Sequence, residues 1–127
     1  MSLVTLVSFD IDGTLEVGEP PGIVPVALVR TAKRLGYLVG SCSDRPISHQ
    51  QHLWERLQIA VDFTVLKHQL AAVKERFQAA AYYHIGDTDT DDLYATGAGF
   101  SFLRADAPAR RLWPSELFAE PPDRRSG

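Results

Sequence analysis

The chain has 127 residues, of which 45% are hydrophobic and 23% are charged, and its formal net charge is −3. These values predict one globular domain with a single buried core, and they give no general reason to expect binding to nucleic acid or to a membrane surface. The lone cysteine, Cys42, excludes an intrachain disulfide. The sequence has neither an apolar run of about 18 residues nor a basic N-terminal flank, so the protein is expected to be cytoplasmic.

Strand-like apolar runs alternate with segments whose apolar residues recur at helical spacing. In chain order the pattern predicts strands at residues 3–9, 37–42, 61–66, 80–85 and 100–103. It predicts helices at residues 24–35, 47–57, 69–78 and 92–98, with Gly36 ending the first of them. This alternation indicates an α/β fold in which a five-stranded parallel sheet carries helices on both faces.

The pattern weakens after Arg104. Residues 107–118 are expected to form a short helix interrupted by Pro114. The segment has four apolar side chains, Leu112, Trp113, Leu117 and Phe118. They could pack onto the domain, or they could form a surface that binds a partner. Residues 1–119 are therefore interpreted as one domain, and residues 120–127 are interpreted as a disordered tail.

Polar side chains occur where four of the predicted strands end. They are Asp10 and Asp12 after the first strand, Ser43 after the second, Lys67 after the third, and Asp87 and Asp91 after the fourth. The carboxyl ends of parallel strands converge at one edge of a sheet, which is where ligands bind in open α/β folds. Two neighbouring carboxylates repel each other unless a cation or a shared proton stabilises them. The pattern therefore indicates a magnesium site with a carboxylate left free for chemistry.

Several of these residues also have an explanation that involves no function. The Asp-Gly pair at residues 12–13 can be a simple turn after a strand. Ser43 can cap the following helix, and Lys67 can be a solvated lysine. His84 falls inside the fourth predicted strand, where a packed core residue is expected rather than a ligand. The functional interpretation depends on the convergence of the strand ends, not on any one of these residues.

The four polar elements resemble the motifs of the haloacid dehalogenase (HAD) superfamily, in its phosphatase branch. Asp10-Ile11-Asp12-Gly13-Thr14 matches the Asp-x-Asp-Gly-Thr of the first motif, and Gly86-Asp87-x-x-x-Asp91 matches the fourth. Ser43 matches the hydroxyl residue of the second motif, and Lys67 matches the lysine of the third. The resemblance implies a three-layer, Rossmann-like fold of the HAD type. The intervals 12–43 and 43–67 are too short for the cap domain that many members carry, which implies a minimal, capless member.

The resemblance implies a magnesium-dependent phosphomonoester hydrolase, or phosphatase. Asp10 would be the nucleophile that forms an aspartyl-phosphate, and Asp12 would be the general acid and then the general base. Mg²⁺ would be held by the Asp10 carboxylate, the Asp12 main-chain carbonyl and the Asp87 carboxylate, with Asp91 in the outer shell. The substrate would be a phosphorylated small molecule or a macromolecular phosphoester.

Further residues are expected to contact that substrate. Ser43 and Lys67 would bind the phosphoryl oxygens, together with main-chain amides near Ile11 and Asp12. Arg45 would contact a more distant anionic group of the substrate. These roles are implied by the resemblance and by the predicted position of each residue at the sheet edge.

An uncapped site is open to water and to large substrates. The loop at residues 15–22 is a local candidate for a flap, with hinges at Gly18 or Gly22. Alternatively, a neighbouring subunit of a homo-oligomer would cover the site, as in some capless members of the superfamily.

Two other classes of protein fit parts of the pattern. A non-catalytic or regulatory domain could keep the fold and act by binding a partner. A phosphorelay receiver also has a five-stranded parallel sheet and an acidic pocket, but its phosphorylated aspartate follows the third strand, where this chain has Leu66 and Lys67. The motifs therefore favour the hydrolase.

Overall fold

The computed structural model describes residues 4–119, and in that part of the chain strands and helices alternate as predicted. The strands are β1 (Thr5–Phe9), β2 (Leu38–Ser43), β3 (Phe63–Leu66), β4 (Ala81–Gly86) and β5 (Ser101–Arg104). The helices are α1 (Val26–Arg34), α2 (Ile47–Leu57), α3 (Leu70–Arg76) and α4 (Asp89–Gly97), with short 3₁₀ helices at Lys67–Gln69 and Ala109–Leu112. The first predicted strand residue, Leu3, and the predicted tail at 120–127 lie outside the described residues.

Within residues 4–119 the strands form one five-stranded parallel sheet in the order β3-β2-β1-β4-β5. The predicted α/β class with a parallel sheet is confirmed, and no cap domain interrupts it in this part of the chain. The chain runs outward from β1 to β3 and then returns to place β4 on the other side of β1. A crevice forms at the carboxyl ends of two strands where the strand order reverses in this way, and ligands bind there in open α/β sheets.

The two faces of the sheet bury separate apolar clusters, because successive side chains of a strand point to opposite faces. On one face Val7 of β1 packs with Val29 of α1 and Trp54 of α2. On the other face Leu6 packs with Val73 of α3 and the rest of a second cluster. The helices therefore cover both faces, as the sequence predicts. Among the described helices, none has both the length and the apolar character required to cross a membrane.

Two helix starts differ from the sequence prediction for identifiable reasons. The first helix was expected from residue 24, but Val24 pairs with Leu15 in an isolated parallel bridge, and α1 begins at Val26. The helix α4 begins at Asp89, three residues before the predicted start. Thr88 caps it, because the Thr88 hydroxyl accepts from the Asp91 amide at 3.1 Å and the Asp91 carboxylate accepts from the Thr88 amide at 3.1 Å.

The segment after β5 packs back onto the domain without forming the predicted helix. Only Ala109–Leu112 is helical, as a 3₁₀ turn. Leu117 is buried, and its carbonyl accepts a hydrogen bond from the Tyr37 hydroxyl. The expectation that Leu112 packs inward is wrong, because its side chain is 85% exposed. The segment is therefore mainly a part of the core on the α1 and α2 face.

Candidate active site

Three aspartates meet at the crevice between β1 and β4. Asp10 directly follows β1, Asp87 directly follows β4, and Asp91 lies in the first turn of α4. One carboxylate oxygen from each of them lies within 4.8 Å of the other two. Asp10 is 4% exposed and Asp91 is fully buried. A hydrogen bond of 2.9 Å from the Asp10 amide to the Ile85 carbonyl joins the two strand ends. We call Asp10, Asp87 and Asp91 the aspartate cluster.

The electrostatics of Asp10 favour a nearby cation. Burial, and next the charge of Asp91, raise the pKa of the Asp10 carboxyl from 3.8 to about 8. The Lys67 ammonium and a 2.8 Å hydrogen bond from the Ile11 amide act in the opposite direction without overcoming this effect. Buried carboxylate oxygens with an unfavourable charge are the donor set that a hard cation such as Mg²⁺ prefers. The aspartate cluster therefore fits the expected ion.

Asp91 is paired with Lys67, which follows β3. Its Oδ1 lies 2.8 Å from Lys67 Nζ, and its Oδ2 accepts from the amides of Asp87 and Thr88 at 3.1 Å each. Burial opposes the charge on Asp91, but the contact with Lys67 outweighs it and holds the pKa of Asp91 below its usual range. Burial likewise opposes the charge on Lys67, and its carboxylate neighbours outweigh this and raise the Lys67 pKa. These contacts suit the outer position that the sequence predicts for Asp91.

The predicted phosphate-binding residues lie side by side at the same edge. Ser43 ends β2, and it is in register with Leu66, the residue before Lys67. The buried Ser43 hydroxyl accepts from the Arg45 amide at 3.0 Å, so its own hydrogen remains for another acceptor. It does not cap α2, which begins after Pro46. Lys67 is 11% exposed at its side chain, and besides Asp91 it contacts the Asp44 carboxylate at 3.3 Å.

The carboxylate of Asp12 is bound by Arg45 and is not a member of the aspartate cluster. The Arg45 guanidinium donates to Asp12 at 2.7, 3.1 and 3.2 Å, and the Glu19 amide donates to Asp12 Oδ1 at 2.7 Å. The hydrogen bonds from Arg45 are the main reason that the pKa of Asp12 lies below its ordinary value. The predicted substrate contact, Arg45, thus lies at the site edge and contacts the predicted acid/base.

Three residues that are not among the predicted site residues border or contact Asp87. The Thr14 hydroxyl donates to Asp87 Oδ1 at 3.2 Å, and Arg104 donates to the Asp87 carbonyl at 3.0 Å. Gly13 has a φ of +78°, and a Cβ added to it would lie 2.1 Å from Asp87 Oδ2. Gly13 and Thr14 belong to the first motif, so the sequence motif itself marks these two positions. Arg104 ends β5, and only the pairing of β5 with β4 reveals its role.

Gln50 of α2 is a further residue that the sequence analysis missed. It is fully buried, and its amide donates to the carbonyls of Arg45 at 2.9 Å and Val65 at 3.0 Å. Its side-chain oxygen accepts from the Ser41 hydroxyl at 2.6 Å. These bonds fix the end of β2, which carries Ser43, and the following loop, which carries Arg45. A glutamine at this position of an amphipathic helix gives no sign of such a role in the sequence.

The loop at residues 15–22, the predicted candidate for a flap, packs closely against the first motif. A Cβ on Gly18 would lie 2.3 Å from the Ile11 carbonyl oxygen, and a Cβ on Gly22 would lie 2.2 Å from that of Thr14. Both glycines therefore permit close backbone contact, and the hinge role expected for them stays a prediction.

The Ile11 amide, expected to bind phosphate, donates to Asp10 in this structure.

His84 is a core residue, as the sequence predicts. It is buried in β4, its Nδ1 lies 2.9 Å from the Ser8 hydroxyl, and burial lowers its pKa to about 4. It is therefore a neutral, buried imidazole at neutral pH.

The chain matches no family model, and no match is found among curated proteins. Its function must therefore be interpreted from the geometry and chemistry of the site itself.

Proposed function

We propose that the protein is a magnesium-dependent phosphomonoester hydrolase, a capless phosphatase of the HAD superfamily that its motifs resemble. The observation that carries the proposal is the aspartate cluster, which brings residues from two separated motifs to one crevice. Ser43 and Lys67 stand at the same edge, where they suit the binding of an anion. The sheet order supports the proposal over a phosphorelay receiver, because receivers have the flavodoxin-like order 2-1-3-4-5.

Asp10 and Asp87 would hold Mg²⁺ through their carboxylates, and Asp12 would hold it through its main-chain carbonyl, with Asp91 outside. When bound, the ion would offset the repulsion between the anionic nucleophile and the anionic phosphate. Asp91 would act through Lys67, whose ammonium it keeps charged and positioned.

Asp10 attacks phosphorus in the first step, so that a bond forms from its carboxylate oxygen and the ester P–O bond breaks. The leaving oxygen takes a proton from Asp12. In the second step Asp12 takes a proton from water, which attacks phosphorus and releases Asp10. Arg45 holds Asp12 ionised before substrate binds, so the proton for the first step must arrive with the substrate or from solvent.

Ser43 and Lys67 position the phosphoryl group during both steps. The Ser43 hydroxyl has a hydrogen free to donate, and the Lys67 ammonium supplies positive charge that is little exposed to water. Phosphoryl transfer depends mainly on such positioning and on charge neutralisation. The cytoplasmic location, the size of the substrate and the homo-oligomeric cover stay predictions from the sequence.

The test is hydrolysis of para-nitrophenyl phosphate by the purified chain, with Mg²⁺ and with EDTA. We expect turnover only with Mg²⁺, and we expect Asp10→Asn to lose at least about a thousandfold in rate. The control is Asp92→Asn, which removes a neighbouring acidic group of α4 outside the aspartate cluster. A folded wild-type protein without turnover on a broad panel of phosphate esters would favour the non-catalytic binding domain instead.

A further inference from the structure

A polar groove opens beside Asp12. Two surface cavities of about 470 and 350 Å³ share Arg45, His49 and Arg56 in their walls. The smaller cavity is also lined by Asp12, and the larger one continues along α2 to His52. We call the two cavities together the α2 groove.

The basic side chains of the α2 groove lie on one face of the helix. His49, His52 and Arg56 are spaced three and four residues apart, which places them above one another on α2. Their side chains are exposed and have no hydrogen-bonding or ionic partner among residues 4–119. Arg45 precedes the helix and is already engaged with Asp12. Arg56 is therefore the guanidinium that this groove offers to a ligand.

The α2 groove also contains acceptors, because the exposed carboxylates of Glu19 and Glu55 line parts of it. A groove with both kinds of group suits a polar molecule with an acidic group and hydroxyls. An arginine binds a carboxylate or a phosphate through paired hydrogen bonds, which gives direction as well as charge. An uncharged apolar alcohol would form no hydrogen bond or ion pair with these groups.

The position of the general acid decides which part of the substrate lies in the α2 groove. Asp12 protonates the leaving oxygen under the proposed function, on which this step rests, so the alcohol part of the ester must lie on its side. Asp12 lines the smaller cavity of the groove. We infer that the substrate is a phosphomonoester whose alcohol part carries a second acidic group, and that Arg56 binds that group in the α2 groove.

The test compares propyl phosphate with propane-1,3-diol bisphosphate, which has the same carbon chain and a second phosphate. We expect the wild-type protein to give a kcat/KM at least about tenfold higher for the bisphosphate. Arg56→Gln should remove most of this preference while the kcat/KM for propyl phosphate stays within about twofold. The control is Arg111→Gln, which removes an exposed arginine from the 3₁₀ helix outside the groove.

Equal values for the two esters in the wild-type protein would overturn the inference. So would an Arg56→Gln variant that loses the same factor on both. Failure of the underlying function has a different signature, because para-nitrophenyl phosphate would then show no Mg²⁺-dependent turnover, and the inference would fall with it. Arg56 is exposed on α2, so thermal unfolding of the variant is expected to match that of the wild-type protein.

Discussion

Gly13 lies against the Asp87 carboxylate, at the point where the β1 and β4 loops meet. Its φ of +78° is a left-handed conformation that favours glycine, and the space for a side chain is taken by Asp87. Thr14 then donates a hydrogen bond to the same carboxylate. Gly13 and Thr14 therefore help to position the Asp87 carboxylate, and they link the loop after β1 to the loop after β4.

Replacing Gly13 by alanine should weaken Mg²⁺ binding, because the new Cβ would displace Asp87. We expect the affinity for Mg²⁺, measured by calorimetry, to fall at least about tenfold. Gly36→Ala is the matched control, since Gly36 has a φ of +83° with nothing within 4 Å of an added Cβ. It should cost about 1–2 kcal/mol of folding free energy and leave Mg²⁺ affinity unchanged. Equal Mg²⁺ affinities for the two variants would contradict this role of Gly13.

Asp10 and Asp91 are neighbouring buried carboxylates with opposite electrostatic behaviour. Burial and the charge of Asp91 raise the pKa of Asp10 to about 8, whereas Lys67 overcomes burial and keeps Asp91 ionised. Groups whose pKa values are driven apart in this way are typical of sites with distinct chemical roles. We therefore expect Asp10 to be the member of the pair that holds a proton in the metal-free protein.

At the scale of elements, α2 supports Ser43 at the end of β2 and Arg45 in the loop that follows it. Gln50 donates to the Arg45 and Val65 carbonyls and accepts from the Ser41 hydroxyl, while Trp54 Nε1 donates to that same hydroxyl at 2.9 Å. The network is buried and joins α2 to β2 and β3. The helix is therefore a support for the site as well as a part of the core.

Gln50→Leu should destabilise the protein and loosen this loop. The change leaves buried carbonyls without a donor, and we expect a loss of about 2–4 kcal/mol in the free energy of unfolding, together with a lower kcat/KM. Gln51→Leu on the exposed side of the same helix should stay within about 0.5 kcal/mol. Denaturant unfolding checks both, and equal stabilities for the two variants would remove the network from this explanation.

The alternation of strands and helices could be predicted because local apolar periodicity decides it. The bounds of α2 match the predicted helix in full, and the start of α4 does not, because the reciprocal bonds of Thr88 and Asp91 lie in a run that resembles an acidic loop. Motifs mark the positions of the candidate site residues, and the fold brings Asp10, Asp87 and Asp91 together. The contacts of Gln50 and Arg104 could not be predicted, because they join segments that are distant in the sequence.

At the scale of the whole molecule, the site depends on the order of the strands. Periodicity predicts a parallel sheet, but it does not specify on which side of β1 each later strand is added. The observed order makes β1 and β4 neighbours, so Asp10 and Asp87 share a crevice although they are 77 positions apart in the sequence. The convergence that the sequence suggested thus depends on tertiary topology.

Stability of the metal-free protein should fall as the pH rises from about 6.5 to about 8. In this range folded Asp10 keeps a proton that the unfolded chain has already released. Because the folded state binds more protons, the free energy of unfolding decreases as the pH rises. The slope should reach up to about 1.4 kcal/mol per pH unit. Below about pH 6.5, buried His84 acts in the opposite direction, because the unfolded chain then binds the extra proton.

Thermal unfolding with EDTA and with Mg²⁺ across this range checks the prediction. Stabilisation by Mg²⁺ should grow towards about pH 8, since the ion must displace the Asp10 proton at lower pH. Asp10→Asn should remove the decrease in stability with pH and most of the stabilisation by Mg²⁺. Asp92→Asn should keep both effects. A wild-type stability that rises over this range without metal would contradict the proton on Asp10.

Chemical trapping of the phosphorylated enzyme examines the nucleophile directly. The Asp12→Asn variant lacks the base for the second step, but para-nitrophenolate leaves without protonation, so the intermediate should accumulate. We would incubate this variant with Mg²⁺ and para-nitrophenyl phosphate and then quench the reaction. The protein would be reduced with borohydride, and its peptides would be mapped. Homoserine at residue 10, lost with EDTA or with Asp10→Asn, is the expected result. Turnover by the wild-type protein, with an unmodified residue 10 in the trapped variant, would show that Asp10 is not the nucleophile.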